Sequence, residues 1–153
     1  MAREYRKELF DRICEYCDQQ GWKSRKADTE HGVITLRMSL DNKLKGIDLR
    51  IWVSETGFAT YGIPPIAADK DSIGAVSEFV ILANEALIYG NFEINTNDGE
   101  VLFRSSMICG EKFLPPLDLV EAVVDLPIFM WQKYGNQYLD VVVGGKDPAK
   151  VMA

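Results

Sequence analysis

Two cysteines in the first predicted helix have the spacing of a redox or zinc pair. Cys14 and Cys17 stand in the run Cys-Glu-Tyr-Cys, but late in the helix, where no helix N-terminus would lower a thiol pKa. A zinc site would need further ligands, and the only other cysteine and the only histidine are Cys109 and His31. We therefore interpret both cysteines as small side chains at the edge of the core.

Three other groups of residues suggest chemistry only superficially. His31 lies in a Glu-His-Gly turn, and without a second histidine no Ser-His-Asp or Cys-His arrangement is predicted. Gly144-Gly145-Lys146 lacks the preceding strand and the following Ser or Thr of a phosphate loop. The oxygens of residues 95–100 suggest a calcium loop, yet a hairpin turn explains the same residue types. We expect no catalytic residue, no metal and no cofactor.

The segment from Asn84 to Met107 must position any nearby site, and it predicts a helix end followed by a β-hairpin. Gly90 stands where a helix would need a left-handed residue just past its last turn. Two runs of alternating apolar and polar residues follow, and the Asp98-Gly99 pair between them is a strong hairpin signal. We expect Asn84 to tie the helix end to the following loop, and Arg104 alone to lack a structural role.

Hydrophobic periodicity predicts the remaining elements. They are a helix over residues 3–20, a short extended piece over 22–27, strands over 33–40, 47–54 and 58–63, a helix capped by Asp69 or Asp71, and a helix from Leu117 that breaks or kinks at Pro127. Residues 138–143 have a strand as their alternative, and Asp147-Pro148 predicts a short last turn. The order α-β-β-β-α-β-β-α indicates an α+β fold, an antiparallel sheet with helices packed on one side.

Composition indicates one soluble domain spanning residues 1–153. An apolar fraction of 47% with 26% charged residues is ordinary for a globular protein. The net charge is −6, and the positive residues of the first half are interleaved with carboxylates, which disfavours nucleic acid as a partner. The charged N-terminal run is unlike a secretory signal, and no apolar run approaches the roughly 18 residues of a membrane span. We expect a cytoplasmic protein that does not bind membranes.

Five motifs carry a resemblance to a known family. In order, they are Ile63-Pro-Pro, Ala83-Asn-Glu-Ala-Leu, Tyr89-Gly-Asn-Phe-Glu-Ile, Asp98-Gly-Glu-Val-Leu-Phe-Arg-Ser-Ser and Val143-Gly-Gly-Lys-Asp-Pro-Ala-Lys-Val. Over roughly residues 58–153 the chain resembles the YbjN family of bacterial sensory-transduction-regulator-like proteins. The resemblance implies a fold similar to type III secretion chaperones, which are small, acidic, usually dimeric, and bind extended segments of partner proteins.

One face of the predicted sheet gathers residues typical of protein interfaces. We expect the strands over 33–40, 47–54 and 58–63 to pair as an antiparallel meander. If this meander and the hairpin share one sheet, the neighbours opposite the aliphatic rows are Arg37, Arg50, Trp52, Tyr61, Leu102 and Arg104. Tryptophan and arginine are enriched among the residues that dominate binding energy, although a solvated sheet face without a partner is the alternative. The function that this favours is a non-catalytic, chaperone-like regulatory module, a homodimer that binds a protein or peptide partner. The alternative is a small-molecule sensor with a pocket between sheet and helices.

Overall fold

The computed structural model describes residues 2–153 of the chain. The helices are α1 (Lys7–Gln19), α2 (Ile73–Glu85), α3 (Leu117–Val142) and α4 (Pro148–Val151). The strands are β1 (Lys26–Asp28), β2 (Val33–Ser39), β3 (Gly46–Val53), β4 (Gly57–Ile63), β5 (Asn91–Ile94) and β6 (Val101–Ile108). Two short elements, β1 and α4, are added to the predicted order of three helices and five strands. Strand β1 lies near the extended piece expected over residues 22–27, and α4 is the short last turn expected at Asp147-Pro148.

The strands form one antiparallel sheet in the order β1-β2-β3-β4-β6-β5. Strands β1 to β4 pair consecutively, and β2 to β4 are the predicted three-stranded meander. Strand β4 then pairs with β6 of the hairpin, with Tyr61 opposite Arg104. The meander and the hairpin therefore share one sheet.

The helices cover one face of this sheet, as the period-two pattern of its strands predicts. In β3 the fully buried side chains alternate with exposed ones; the buried set is Ile47, Leu49, Ile51 and Val53. Helix α3 packs on β3, β4 and β6, α2 packs on β5 and α3, and α1 packs on α3. The predicted α+β architecture is confirmed.

The core between sheet and helices consists of two adjoining clusters. One packs α1 and the first half of α3 onto β2, β3 and β4. The other surrounds Trp131, whose ring meets Phe92 and Tyr138 at centroid separations of 5.1 Å. The Trp131 indole donates to the Gly62 carbonyl at 2.8 Å, and the Tyr138 hydroxyl donates to the Ile66 carbonyl at 2.6 Å. Aromatic side chains with satisfied polar atoms thus fill the space between the sheet and α3.

Helix α1 begins at Lys7, not at the predicted Arg3. The backbone N–H of Arg3 donates to the Glu30 carbonyl at 2.9 Å. Its guanidinium also donates to the carbonyls of His31 and Val53. These tertiary hydrogen bonds hold the N-terminal segment against the loop before β2, so it cannot join the helix.

The two ends of α2 also differ from the prediction. Its N-cap is Ser72, while the Asp69 carboxylate accepts from the backbone N–H groups of Asp71 and Ser72 one turn earlier. Its last residue is Glu85 rather than the residue before Gly90. Gly90 is left-handed, with φ +69°, but it leads the chain into β5 instead of ending the helix.

Helix α3 runs without a break through Pro127. A proline removes one helical N–H and costs roughly 3 kcal/mol in an exposed helix interior, but Pro127 is buried against β4, where a Cβ on Gly62 would lie 2.8 Å from its ring. The expected break is therefore wrong, whereas a kink at Pro127 stays a prediction. The strand alternative for residues 138–143 is also wrong, because the helix continues to Val142 and buries Tyr138. No helix within residues 2–153 has the length and apolar character needed to cross a membrane.

Candidate partner-binding surface

The face of the sheet opposite the helices carries the residues that the sequence singles out. The register places Arg50 of β3 opposite Tyr61 of β4, and Tyr61 opposite Arg104 of β6. Trp52 and Arg37 lie on the same face by the alternation of β3 and β2. We call Arg37, Arg50, Trp52, Tyr61 and Arg104 the outer face.

Arg104 has a structural role that the sequence analysis did not assign to it. Its Nη2 donates to a Glu93 carboxylate oxygen at 2.8 Å. Its Nε lies 2.8 Å from the other carboxylate oxygen, without the alignment of a hydrogen bond. The guanidinium carbon also lies 5.3 Å from the centre of the Tyr61 ring. Arg104 therefore fastens β5 to β6 and is held in place for any contact that it makes.

The other two arginines of the outer face differ in their neighbours. Arg37 donates to Asp48, opposite it in the register, at 3.2 Å. Both side chains are well exposed, so the pair adds little to folding stability. Arg50 is exposed and makes no ion pair or side-chain hydrogen bond with residues 2–153. Its charge is therefore available to a partner.

Trp52 is the larger of the two aromatic side chains of the outer face and is 40% exposed. The guanidinium carbon of Arg3 lies 3.9 Å from the centre of its ring, a cation–π contact. Because Arg3 is fixed by the carbonyls of His31 and Val53, the tryptophan ring is braced on one side. A rigid aromatic ring loses little conformational entropy on binding, which suits an interface anchor.

Small residues next to Trp52 leave a shallow depression on the outer face. In the register Trp52 lies opposite Ala59, and Ala59 lies opposite Ser106. The depression has a volume of about 210 Å³ and is bordered by Ile108. Ile108 is the most exposed large apolar residue of the structure, at 91%. The outer face thus combines a braced aromatic ring with an unpaired arginine, and the exposed aliphatic side chain of Ile108 lies at its border.

A second surface, absent from the sequence analysis, is the open edge of β6. Strand β5 pairs only with residues 101–104, so residues 105–108 are paired with β4 alone. The carbonyl of Arg104 faces the chain entering β5, where a Cβ on Gly90 would lie 2.7 Å from it. Because peptide groups alternate along a strand, those of Ser106 and Ile108 point to the same open side.

Residues 104–107 of this strand line a groove of about 610 Å³, which we call the β6-edge groove. Its apolar wall comes from α3 through Leu119, Ala122 and Leu126. Tyr89 also lines the groove; it is 75% exposed and follows the 86% exposed Ile88. The unequal lengths of the two hairpin arms are the sequence signal that indicates this edge.

The cysteines lie in surroundings that oppose thiolate chemistry. Burial raises the pKa of the Cys17 thiol to about 11, against the partly compensating charge of Arg25. Burial likewise raises the pKa of Cys14, and that of Cys109. Within residues 2–153 no group of three or more His, Cys, Asp or Glu side chains could hold a metal ion.

The other motifs with a chemical appearance are occupied by local contacts. His31 Nδ1 lies 2.8 Å from the Asp28 carboxylate, and this hydrogen bond is the main cause of the lowered pKa of Asp28. Lys146 lies 3.6 Å from Asp140 rather than in a phosphate loop. The Asp98 carboxylate accepts from the backbone N–H of Glu100, as expected of a hairpin turn. These side chains stabilise turns.

Comparison with solved structures identifies the fold. YbjN from E. coli, a provisionally assigned transcription regulator, superposes with a TM-score of 0.51 over 82% of this chain and 92% of YbjN. The two chains share a fold. At 8% sequence identity the likeness to YbjN extends to the fold alone. The ExsC–ExsE complex gives a TM-score of 0.48 at 12% identity, over 83% of this chain and 92% of the matched one. No protein-family model and no curated protein sequence matches the chain.

Proposed function

We propose that the protein is a non-catalytic module that binds a partner polypeptide on the outer face. The observation that carries the proposal is that two suitable side chains lie on the same face of β3. Trp52 is braced and 40% exposed, and Arg50 has no ion pair within residues 2–153. Tryptophan and arginine are the residues most enriched at the centres of protein interfaces. The resemblance to partner-binding chaperones points the same way.

Small-molecule sensing is the weaker candidate. A ligand-binding domain of this fold would hold its ligand between sheet and helices, in a concave site that buries most of the ligand. Here that space is filled by Trp131, Phe92 and Tyr138 in mutual contact. The outer face, by contrast, is broad and open.

A reducing compartment such as the cytoplasm suits the three free cysteines.

We infer further that the protein is a homodimer and that a second copy covers the β6-edge groove. The support is the coincidence of unpaired strand groups with exposed apolar side chains around Tyr89 and Ile88. An exposed strand edge is a template for pairing with another chain, and soluble proteins rarely leave one beside an apolar patch. Arg104 belongs to both surfaces, whereas Arg50 and Trp52 do not line the groove and stay available to the partner.

Capture of the partner from a lysate of the source organism tests the proposed function. The immobilised chain is compared with Arg50→Glu and Trp52→Ala, and the captured proteins are identified by mass spectrometry. We expect the same protein to be recovered with the unchanged chain and lost with both variants. The matched controls are Lys70→Glu and Phe113→Ala, which change an exposed lysine and an exposed aromatic ring elsewhere. Equal recovery with Arg50→Glu and Lys70→Glu would contradict a role for the outer face.

A further inference from the structure

One side of α3 forms a groove on the helix-covered part of the molecule, away from the outer face. Asp125, Ile128, Phe129 and Gln132 have the i, i+3, i+4, i+7 spacing of one helical face. With Trp22 and Met38 they line a groove of about 370 Å³. Its walls are mainly apolar, and Asp125 is its only ionisable group. We call it the Asp125 groove.

Asp125 has a negative charge that no cation within residues 2–153 neutralises. Its carboxylate accepts a hydrogen bond from the Tyr16 hydroxyl at 2.7 Å. The one charge that acts on it appreciably is that of Glu121, one turn earlier, which has the same sign. Partial burial is the main cause of its raised pKa, and the Glu121 charge adds to it. A carboxylate held among apolar walls gains most from a positive charge placed beside it.

The aromatic side chains of the groove also suit a positively charged ligand. Trp22 is half-buried, and its ring meets the Tyr16 ring edge-on at a centroid separation of 5.6 Å and an angle of 87°. Phe129 is 59% exposed and lines the same groove. Aromatic faces attract ammonium and guanidinium groups, and apolar walls accept the methylene stem of a long basic side chain.

We propose that the Asp125 groove binds a lysine or arginine side chain of a partner polypeptide. The inference rests on the proposed function, because it takes the ligand to be part of a protein. The groove is open to solvent along Phe129 and Gln132, and so cannot enclose a free metabolite as small-molecule sites do. A side chain delivered by a larger partner needs no such enclosure. The overall net charge of −6 also favours a basic partner.

The test uses capped amino acids as probes, so that it does not depend on finding the partner. N-acetyl-lysine methylamide and N-acetyl-arginine methylamide are titrated into the full chain, with N-acetyl-norleucine methylamide as the neutral probe of similar shape. Binding is followed by the NMR signal of the Trp22 indole N–H. We expect the basic probes to shift this signal and to bind about tenfold more tightly than norleucine, from the ion pair and the cation–π contact together.

Asp125→Asn removes the charge and keeps an oxygen that accepts from Tyr16. We expect it to abolish the tenfold preference while norleucine binding stays the same. Asp140→Asn, at another half-buried carboxylate of α3, serves as the control and should keep the preference. Equal binding of all three probes, or a preference that survives Asp125→Asn, would overturn the proposal. Tighter binding of free n-butylammonium than of capped lysine would overturn the assignment to a polypeptide.

Failure of the two proposals can be told apart. If the probes bind as expected and no partner is captured from lysate, the proposed function fails and the groove is still selective for cations. If a partner is captured through Arg50 and Trp52 but the probes show no preference, the Asp125 groove is excluded from recognition.

Discussion

Asn84 takes the place of a neighbouring strand for β5. Its Nδ2 donates to the Phe92 carbonyl at 3.0 Å, and its Oδ1 accepts from the Phe92 N–H at 2.8 Å. Phe92 lies at the edge of the sheet, so no other strand satisfies these two backbone groups. The expectation that Asn84 ties the end of α2 to the segment that follows is confirmed.

Replacing Asn84 by alanine should destabilise the protein by about 2 kcal/mol, because it leaves the partly buried Phe92 N–H without a partner and the Phe92 carbonyl with only the 3.3 Å hydrogen bond from Asn91 Nδ2. Urea unfolding monitored by tryptophan fluorescence measures the change. Asn97→Ala is the matched control, since the Asn97 side chain makes no hydrogen bond within residues 2–153. We expect the control to stay within about 0.5 kcal/mol of the unchanged chain. Equal effects of the two substitutions would show that the Phe92 bonds contribute nothing.

Replacing Thr60 should stabilise the protein, in contrast to replacing Asn84. Its side chain is fully buried on the inner face of β4, opposite Ser105, and its hydroxyl has no hydrogen-bond partner within residues 2–153. Thr60→Val has nearly the same shape and removes the unsatisfied hydroxyl, so we expect a gain of about 1 kcal/mol in the free energy of unfolding. Thr35→Val, on the half-exposed outer side of β2, should change it by less. A loss of stability in Thr60→Val would mean that the hydroxyl is satisfied.

At the level of elements, the turn of the hairpin is held by a contact from another loop. Gly99 has φ +77°, and a Cβ there would lie 1.9 Å from the carbonyl oxygen of Ala68. The Ala68 N–H donates to the Gly99 carbonyl at 2.9 Å. The Asp98-Gly99 pair is thus both a turn signal and the point at which the loop after β4 docks on the hairpin.

Gly99→Ala should therefore lower the free energy of unfolding by more than the strain of an alanine in the left-handed conformation. Gly145→Ala is the control, because Gly145 has φ +64° but open space around its Cβ position. We expect about 1–2 kcal/mol of destabilisation for the control and at least about 1 kcal/mol more for Gly99→Ala, from the displaced loop. Denaturant midpoints with matched m-values measure both. A difference below about 0.5 kcal/mol would show that the loop moves aside freely.

Helix α3 shows where reading elements from sequence fails. A proline in a helical pattern predicts a break because the sequence shows the lost N–H and the steric cost. The sequence does not show that Pro127 packs on Gly62 of β4, where a larger residue would collide with the proline ring. The start of α1 is misplaced for the same kind of reason, since Arg3 is bonded to carbonyls far along the chain.

At the scale of the whole molecule, the inferred homodimer gives a direct prediction. Light scattering on the purified chain should give twice the mass of 17.2 kDa. Tyr89→Glu should yield a monomer, because it places a charge in the apolar end of the β6-edge groove. Phe113→Glu, at an exposed aromatic ring outside that groove, should remain a dimer. Far-UV circular dichroism checks that both variants fold.

A monomer from the unchanged chain would contradict the inferred dimer and leave the outer face and its proposed partner unaffected. A dimer that persists in Tyr89→Glu would place the interface elsewhere.

The sequence predicted the sheet well because each strand of the meander carries a strict apolar alternation, and the hairpin adds Asp98-Gly99. The composition of the outer face followed from that alternation. The contacts made by the outer face could not be derived from the alternation, because they join residues that are not neighbours in the chain. Arg104 contacts Glu93 across the hairpin, and Trp52 contacts Arg3. The sequence alone therefore assigns Arg104 no structural role.

By itself the sequence determined the element types, the buried face of each strand and the set of side chains on the opposite face, since these depend on local periodicity and turn chemistry. Tertiary structure alone decided the pairing of β4 with β6, the open end of β6, the bracing of Trp52 and the isolation of Asp125. The physical reason is that strand order and ion pairing are set by contacts between elements far apart in sequence, whose free energies no local pattern records.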